Sequence, residues 1–177
     1  QALVRGANGV GYTNYPDNAV RFFIQQAARN GIDLFRVFDC FNWIDNMRVS
    51  MDAVLEEGKL CEATICYTGD VSDPSETLYT VDYYLERAAE LVDAGVHVLA
   101  LKDMAGLLRA PAARTLIPAL RDTFGVPLVL HSHDTAGGQV ATYLAAIEAA
   151  CDDPDRLGGR ERGGASLAIR VGRIALG

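Results

Sequence analysis

The sequence has no CxxC pair, no basic block before residue 156 and only three histidines. It also has no apolar run near the roughly 20 residues that cross a bilayer. Each absence excludes something. Without a long apolar run, and without a basic stretch leading into an apolar one at the N-terminus, neither a membrane span nor a secretory leader is expected. A formal net charge of -7 argues against nucleic acid as a partner, because phosphate backbones select clustered Lys and Arg. Cys40, Cys61, Cys66 and Cys151 are scattered, and two of them share one apolar stretch, where neighbouring positions disfavour a bridge. They read as reduced thiols, which places the protein in the cytoplasm or an organelle matrix.

What is present is a regular alternation. Half of the 177 residues are hydrophobic, enough for one packed core. Short apolar runs at residues 2–5, 34–38, 61–67, 96–101 and 127–131 each lead through a turn into a helical pattern. This is βα repetition with a period of roughly 30 residues. Asp17, Asn42 and Thr80 stand where N-caps are expected, and Pro111 suits a first turn. Pro118 lies inside the same helical pattern and should kink or strain it. "DLFRVFD", "HVLALKD" and "PLVLHSHD" are apolar almost throughout, the pattern of parallel strands covered on both faces. An α/β fold follows, either an open doubly wound sheet or about five βα units of a (β/α)8 TIM barrel. From Cys151 the composition turns to Arg and Gly. Residues 151–177 read as a divergent tail, either a loop with a weak terminal strand in "SLAIRV" or a non-native or poorly ordered end.

In a barrel the chemistry gathers at the C-terminal ends of the strands, where Asp39, Asp70, Asp103, His131, His133 and Asp134 fall. His131 and His133 are two apart on a strand, so both project to one face and can share a transition-metal ion. Hydrogen-bonded core histidines are the alternative. Lys102 continues an apolar strand in the neighbouring unit, either as the partner of Asp103, or snorkelling out, or as a buried amine made chemically useful. Arg5 precedes a glycine-rich turn and can grip a small carboxylate through two parallel hydrogen bonds. The glycines there match no nucleotide-binding motif. Asp39 can support a metal ligand from behind or cap the helix that follows.

Five strings settle on a family. "RGANGVGYTNYPDN", "GIDLFRVFDCFNW", "CYTGD", "LALKDMAGLL" and "HSHDTAGG", in that order, closely resemble the carboxyltransferase domain of the pyruvate carboxylases over about residues 2–150. The oxaloacetate decarboxylase alpha subunit and the transcarboxylase subunit share the scaffold and are the alternative reading. The resemblance implies a TIM barrel with one divalent metal, zinc or manganese. His131, His133 and a carbamylated Lys102 would be ligands, with Arg5 and Tyr12 in the pyruvate pocket and Asp39 beside the metal. It also implies biotin on a separate carrier domain, pyruvate and carboxybiotin as reactants, a biotin carboxylase domain, a homo-oligomer when complete, and a mitochondrial matrix location in a eukaryote. An aspartate ligand and an adjacent glutamine would precede Gln1, and a proton-shuttling threonine would follow the last matching helix. Their places are not filled in this sequence, so a compromised metal site and little activity for the chain alone are expected.

Overall fold

The computed structural model describes residues 1–151 and a further strand at residues 167–171. The strands are β1 (Ala2–Val4), β2 (Leu34–Phe38), β3 (Leu60–Cys66), β4 (Val98–Asp103), β5 (Leu128–Ser132) and β6 (Leu167–Val171). Between them run α1 (Asp17–Arg29), α2 (Ile44–Glu56), α3 (Val81–Asp93), α4 (Ala110–Thr123) and α5 (Gln139–Cys151). Every adjacent pair is parallel and the spatial order is β1-β2-β3-β4-β5-β6, so each strand lies beside its predecessor in sequence.

That order decides between the two architectures left open by periodicity. Right-handed crossovers that always step in the same direction place every helix on one face, whereas a doubly wound sheet must reverse direction. The core confirms it. Its strand residues are Val4, Phe35, Val37, Cys61, Ala63, Ile65, Leu99, Leu101, Leu128 and Leu130. The strand register makes all ten neighbours on a single face. Against them pack Ile24, Met47, Met51, Tyr84, Leu91, Leu116 and Ile117 from the helices. The fold is a partial (β/α)8 barrel whose described sheet is open, with β1 and β6 at its edges.

The opposite face carries Arg36, Glu62, Thr64, Lys102 and His131. The near-continuous apolar reading of the strands therefore holds for one face only. The second is the inner face of the barrel, where polar side chains find partners among themselves. Other local expectations also shift. Helix α1 begins at Asp17 with Pro16 as its N-cap, and α2 takes Trp43 rather than Asn42. Thr80 does cap α3, accepting a hydrogen bond from the Tyr83 amide at 3.3 Å. Helix α4 continues through Pro118 without a break, since packing of Ala113, Leu116, Ile117 and Leu120 into the core outweighs the lost amide. Strand β6 falls within "SLAIRV"; the rest of the tail at residues 152–177 lies outside the described residues. Among the described residues no helix is long and apolar enough to cross a membrane.

Candidate functional site

Strand pairing brings the candidate residues together. Lys102 is the register partner of His131 across β4 and β5, and Cys66 is its partner on β3. His133 lies two residues beyond His131, on the same side, and the two imidazole centroids are 5.0 Å apart at an interplanar angle of 79°. Lys102, His131, His133, Arg5, Arg36 and Phe38 line one open cleft of about 420 Å³ at the C-terminal end of the sheet. The lysine is only 6% exposed, so it does not snorkel to water. Nor does it pair with Asp103. Alternation along β4 turns that carboxylate to the other face, where it accepts hydrogen bonds from the Leu107 and Leu108 amides at 2.9 and 3.1 Å and from Ser132 Oγ at 3.4 Å. The Lys102 ammonium lies instead 3.8 Å from the centre of the Phe38 ring.

These placements set the electrostatics. Burial lowers the pKa of Lys102 from its ordinary value, and the charges of Arg36 and Arg5 push the same way. His133 is also lowered, by burial first and by the Lys102 charge second. Both shifts favour neutral nitrogen, the form that can act as a metal ligand or nucleophile.

Arg5 leaves β1 into a short 3-10 turn, Gly6–Asn8. Gly6 sits at φ +48°, and a Cβ there would come within 2.7 Å of the Asn46 carbonyl oxygen, so the loop is pressed against α2 as only glycine allows. Arg5 Nη1 donates to the Val10 and Gly11 carbonyls at 3.0 and 3.4 Å, and its guanidinium carbon is 4.6 Å from the centre of the Tyr12 ring. Tyr12 itself is 89% exposed and does not line the cleft. Asp39 does not line the cleft. Its carboxylate accepts from the Phe41 and Trp43 amides at 2.8 and 3.1 Å and from Asn46 Nδ2 at 2.9 Å, organising the turn before α2. Asn42 clamps the end of β3, accepting from the Cys66 amide at 2.7 Å and donating to its carbonyl at 2.9 Å.

A buried ion pair was overlooked by sequence reasoning. Arg36 and Glu62 face each other across β2 and β3, Arg36 Nε donating to Glu62 Oε1, and Gln1 Nε2 donates to Glu62 Oε2 at 2.9 Å. The signal was available, since "LFRVF" and "LCEATIC" each carry one charge at an inward position of an apolar strand.

No protein-family model matches the chain. The pyruvate carboxylase of Bacillus subtilis is 50% identical over 152 residues, which is 86% of this chain and 13% of that protein. The mitochondrial pyruvate carboxylase of Homo sapiens is 53% identical over 156 residues, 88% of this chain and 13% of the other. The carboxyltransferase domain of Rhizobium etli pyruvate carboxylase, solved with pyruvate and biocytin, superposes with a TM-score of 0.83 at 54% identity, covering 96% of this chain and 26% of that one.

The chain is similar to part of a pyruvate carboxylase carboxyltransferase domain. It spans about 13% of the length of the curated pyruvate carboxylases it matches. Among the described residues no group of three or more His, Cys, Asp or Glu could hold a metal ion. The two imidazoles and Lys102 are the donors that stand together in the cleft among the described residues. Their chemistry fits a metal ion: two convergent imidazoles and a buried amine with no carboxylate in ion-pair reach among the described residues.

Proposed function

We propose that this chain forms part of a biotin-dependent carboxyltransferase, in which a carboxyl group passes from carboxybiotin to pyruvate to give oxaloacetate. The observation that carries the reading is the convergence of Lys102, His131, His133 and Arg5 on one cleft, in a chain 54% identical to a domain solved with pyruvate and biocytin. His131, His133 and Lys102, the last carbamylated so that it presents an anionic oxygen, would hold a zinc or manganese ion. When bound, the ion supplies a fixed positive field that favours enolate over ketone.

The chain's own residues supply the rest. Arg5 would hold the pyruvate carboxylate through two parallel N–H···O bonds. Its Nη1 contacts with Val10 and Gly11 fix the fork before a substrate arrives, which reduces reorganisation on binding. Tyr12, stacked over that guanidinium, would close the mouth over the substrate. Asp39 supports the site only through the turn it organises. Arg36 adds positive charge around the cleft, stabilising an enolate oxygen as the methyl proton leaves toward biotin. Biotin carboxylase and biotin carrier domains are the partners this chemistry requires, and a homo-oligomer is the expected assembly.

A second reading is favoured by the open sheet. With β1 and β6 at its edges, the chain could serve as a noncatalytic partial barrel that associates through unpaired strands. Metal analysis of the full chain, combined with biotin-dependent oxaloacetate decarboxylation, separates the two. Stoichiometric metal and a turnover that Arg5→Met reduces support the carboxyltransferase. Concentration-dependent association with neither metal nor turnover supports the scaffold.

A further inference from the structure

We propose that Tyr143 and Ser132 are positioning residues of the cleft: from the helix-covered side of the sheet their hydroxyl oxygens fix the peptide planes that carry His131 and His133, and so set how the two imidazoles face a divalent cation. The inference rests on reading the cleft as a cation site.

Three successive amides run through the histidine pair, and each has its own acceptor. The Ser132 amide donates to Tyr143 Oη at 3.0 Å, the His133 amide to the Asp103 carbonyl at 3.1 Å and the Asp134 amide to Ser132 Oγ at 3.2 Å. The middle bond continues the β4–β5 ladder. The outer two are made by side chains, at the point where β5 ends and His133 leaves it. Three consecutive planes determine the dihedrals of Ser132 and His133 between them. They therefore set the direction of the His133 Cα–Cβ bond relative to the strand that carries His131, and with it the approach of the two rings, whose centroids are 5.0 Å apart.

Both hydroxyls stand where apolar residues would pack more simply. Tyr143 belongs to the core from α5, and Ser132 is buried on the same side of the sheet; phenylalanine and alanine there would bring no polar atom to satisfy. The turn beyond is specified as tightly. Asp134 holds φ 55°, left-handed for a residue other than glycine, while its Oδ1 accepts from the Gln139 amide at 3.0 Å. Such conformations persist only where the surroundings over-determine them, and they gather at functional sites. Groups that orient metal-binding histidines from behind change metal affinity by about 10–100-fold when lost, without touching the ion.

The test uses the full chain with Tyr143→Phe, Ser132→Ala and Ser132→Thr. Tyr84→Phe is the control, because Tyr84 Oη likewise accepts a backbone amide, that of Thr68 at 2.9 Å, and neither residue lines the cleft. Ser132→Thr keeps the acceptor oxygen, and the cavity of about 450 Å³ that Ser132 lines has room for the added methyl. The chain has three histidines, so the imidazole 1H–15N spectrum of the metal-free protein reads each one, with His97 at the opposite end of β4 as an internal reference. Tyr143→Phe and Ser132→Ala should shift the His131 and His133 signals and leave His97 in place. Ser132→Thr and Tyr84→Phe should leave all three near the parent. Co2+ should bind about 10-fold more weakly to Tyr143→Phe and Ser132→Ala, with displaced visible absorption bands. Should Tyr143→Phe fail to fold, Ser132→Ala against Ser132→Thr decides. Folded variants that keep the parent's His131 and His133 signals overturn the proposal, as does a Tyr84→Phe chain that shifts them equally. A parent chain that binds no Co2+ overturns the cation-site reading instead, and the metal-free spectrum still decides the roles of Tyr143 and Ser132.

Discussion

At the scale of single residues, Lys102 is a group whose value to the molecule is not stability. Burial disfavours its charge, and among the described residues no carboxylate stands within ion-pair distance of it. Lys102→Met is therefore expected to raise the melting temperature of the metal-free chain by a few degrees while bound metal falls to background, a trade measured by calorimetry and elemental analysis. The cysteines make a separate prediction. Burial raises Cys61 and Cys66 to about 12, whereas Cys40 is exposed. Alkylation at pH 8 followed by peptide mapping should label Cys40 and spare Cys61 and Cys66 in the native protein. The folded chain keeps two thiol protons that the unfolded chain loses above its ordinary value of 9.0. Stability should accordingly decline as pH rises from about 9 toward 12, and stay unaffected by these groups below that window. Lys102 was legible in the sequence because a lysine ending "VLAL" has no ordinary reason to be there. Arg36 and Glu62 carried the same signal and were missed, because a pair split between two strands shows itself only once the register is known.

At the scale of elements, the strand ends are held by side chains that the helix-capping rules misplace. Asn42 was expected to cap α2. Instead it sits at φ 56° and bonds both backbone groups of Cys66, with its amide also donating to Tyr83 Oη at 3.1 Å. It ties β3 to the turn before α2 and to α3. Asn42→Ala should cost about 2–4 kcal/mol in urea unfolding, from two buried backbone groups left unpaired and a left-handed conformation unsuited to Ala. Asn42→Gly, which accepts that φ, should cost roughly 1 kcal/mol less. Thr80→Ala removes a simpler cap and should cost about 1 kcal/mol. The first five strands were legible within two residues, and a helix after each of them, because period and punctuation are local properties. Caps were less so: Asp, Asn and Thr serve turns, clamps and caps with the same atoms, and only the tertiary neighbour decides which. Pro118 shows the same limit from the other side, a helix breaker overruled by the apolar face it sits beside.

At the scale of the whole molecule, the alternation of faces turns sequence into function. One face of the sheet is apolar apart from Asp103 and Ser132 at its C-terminal end and is covered by helices. The other gathers Arg5, Arg36, Lys102, His131 and His133 around a cleft of about 420 Å³. Periodicity alone left a doubly wound sheet and a barrel segment equally open, since both repeat βα units. Strand order resolves them, and strand order is nonlocal. The family strings supplied what periodicity could not. Their likeness to pyruvate carboxylase extends over 86% of the chain. The central claim is that Lys102, His131 and His133 share one cation. It is tested most directly by zinc K-edge X-ray absorption of the zinc-loaded full chain. The account predicts two imidazole nitrogens at about 2.0–2.1 Å with oxygen completing the shell, and loss of the imidazole signal when His131 and His133 are both replaced by Ala. A zinc shell without imidazole, or one unchanged by that double replacement, would contradict it.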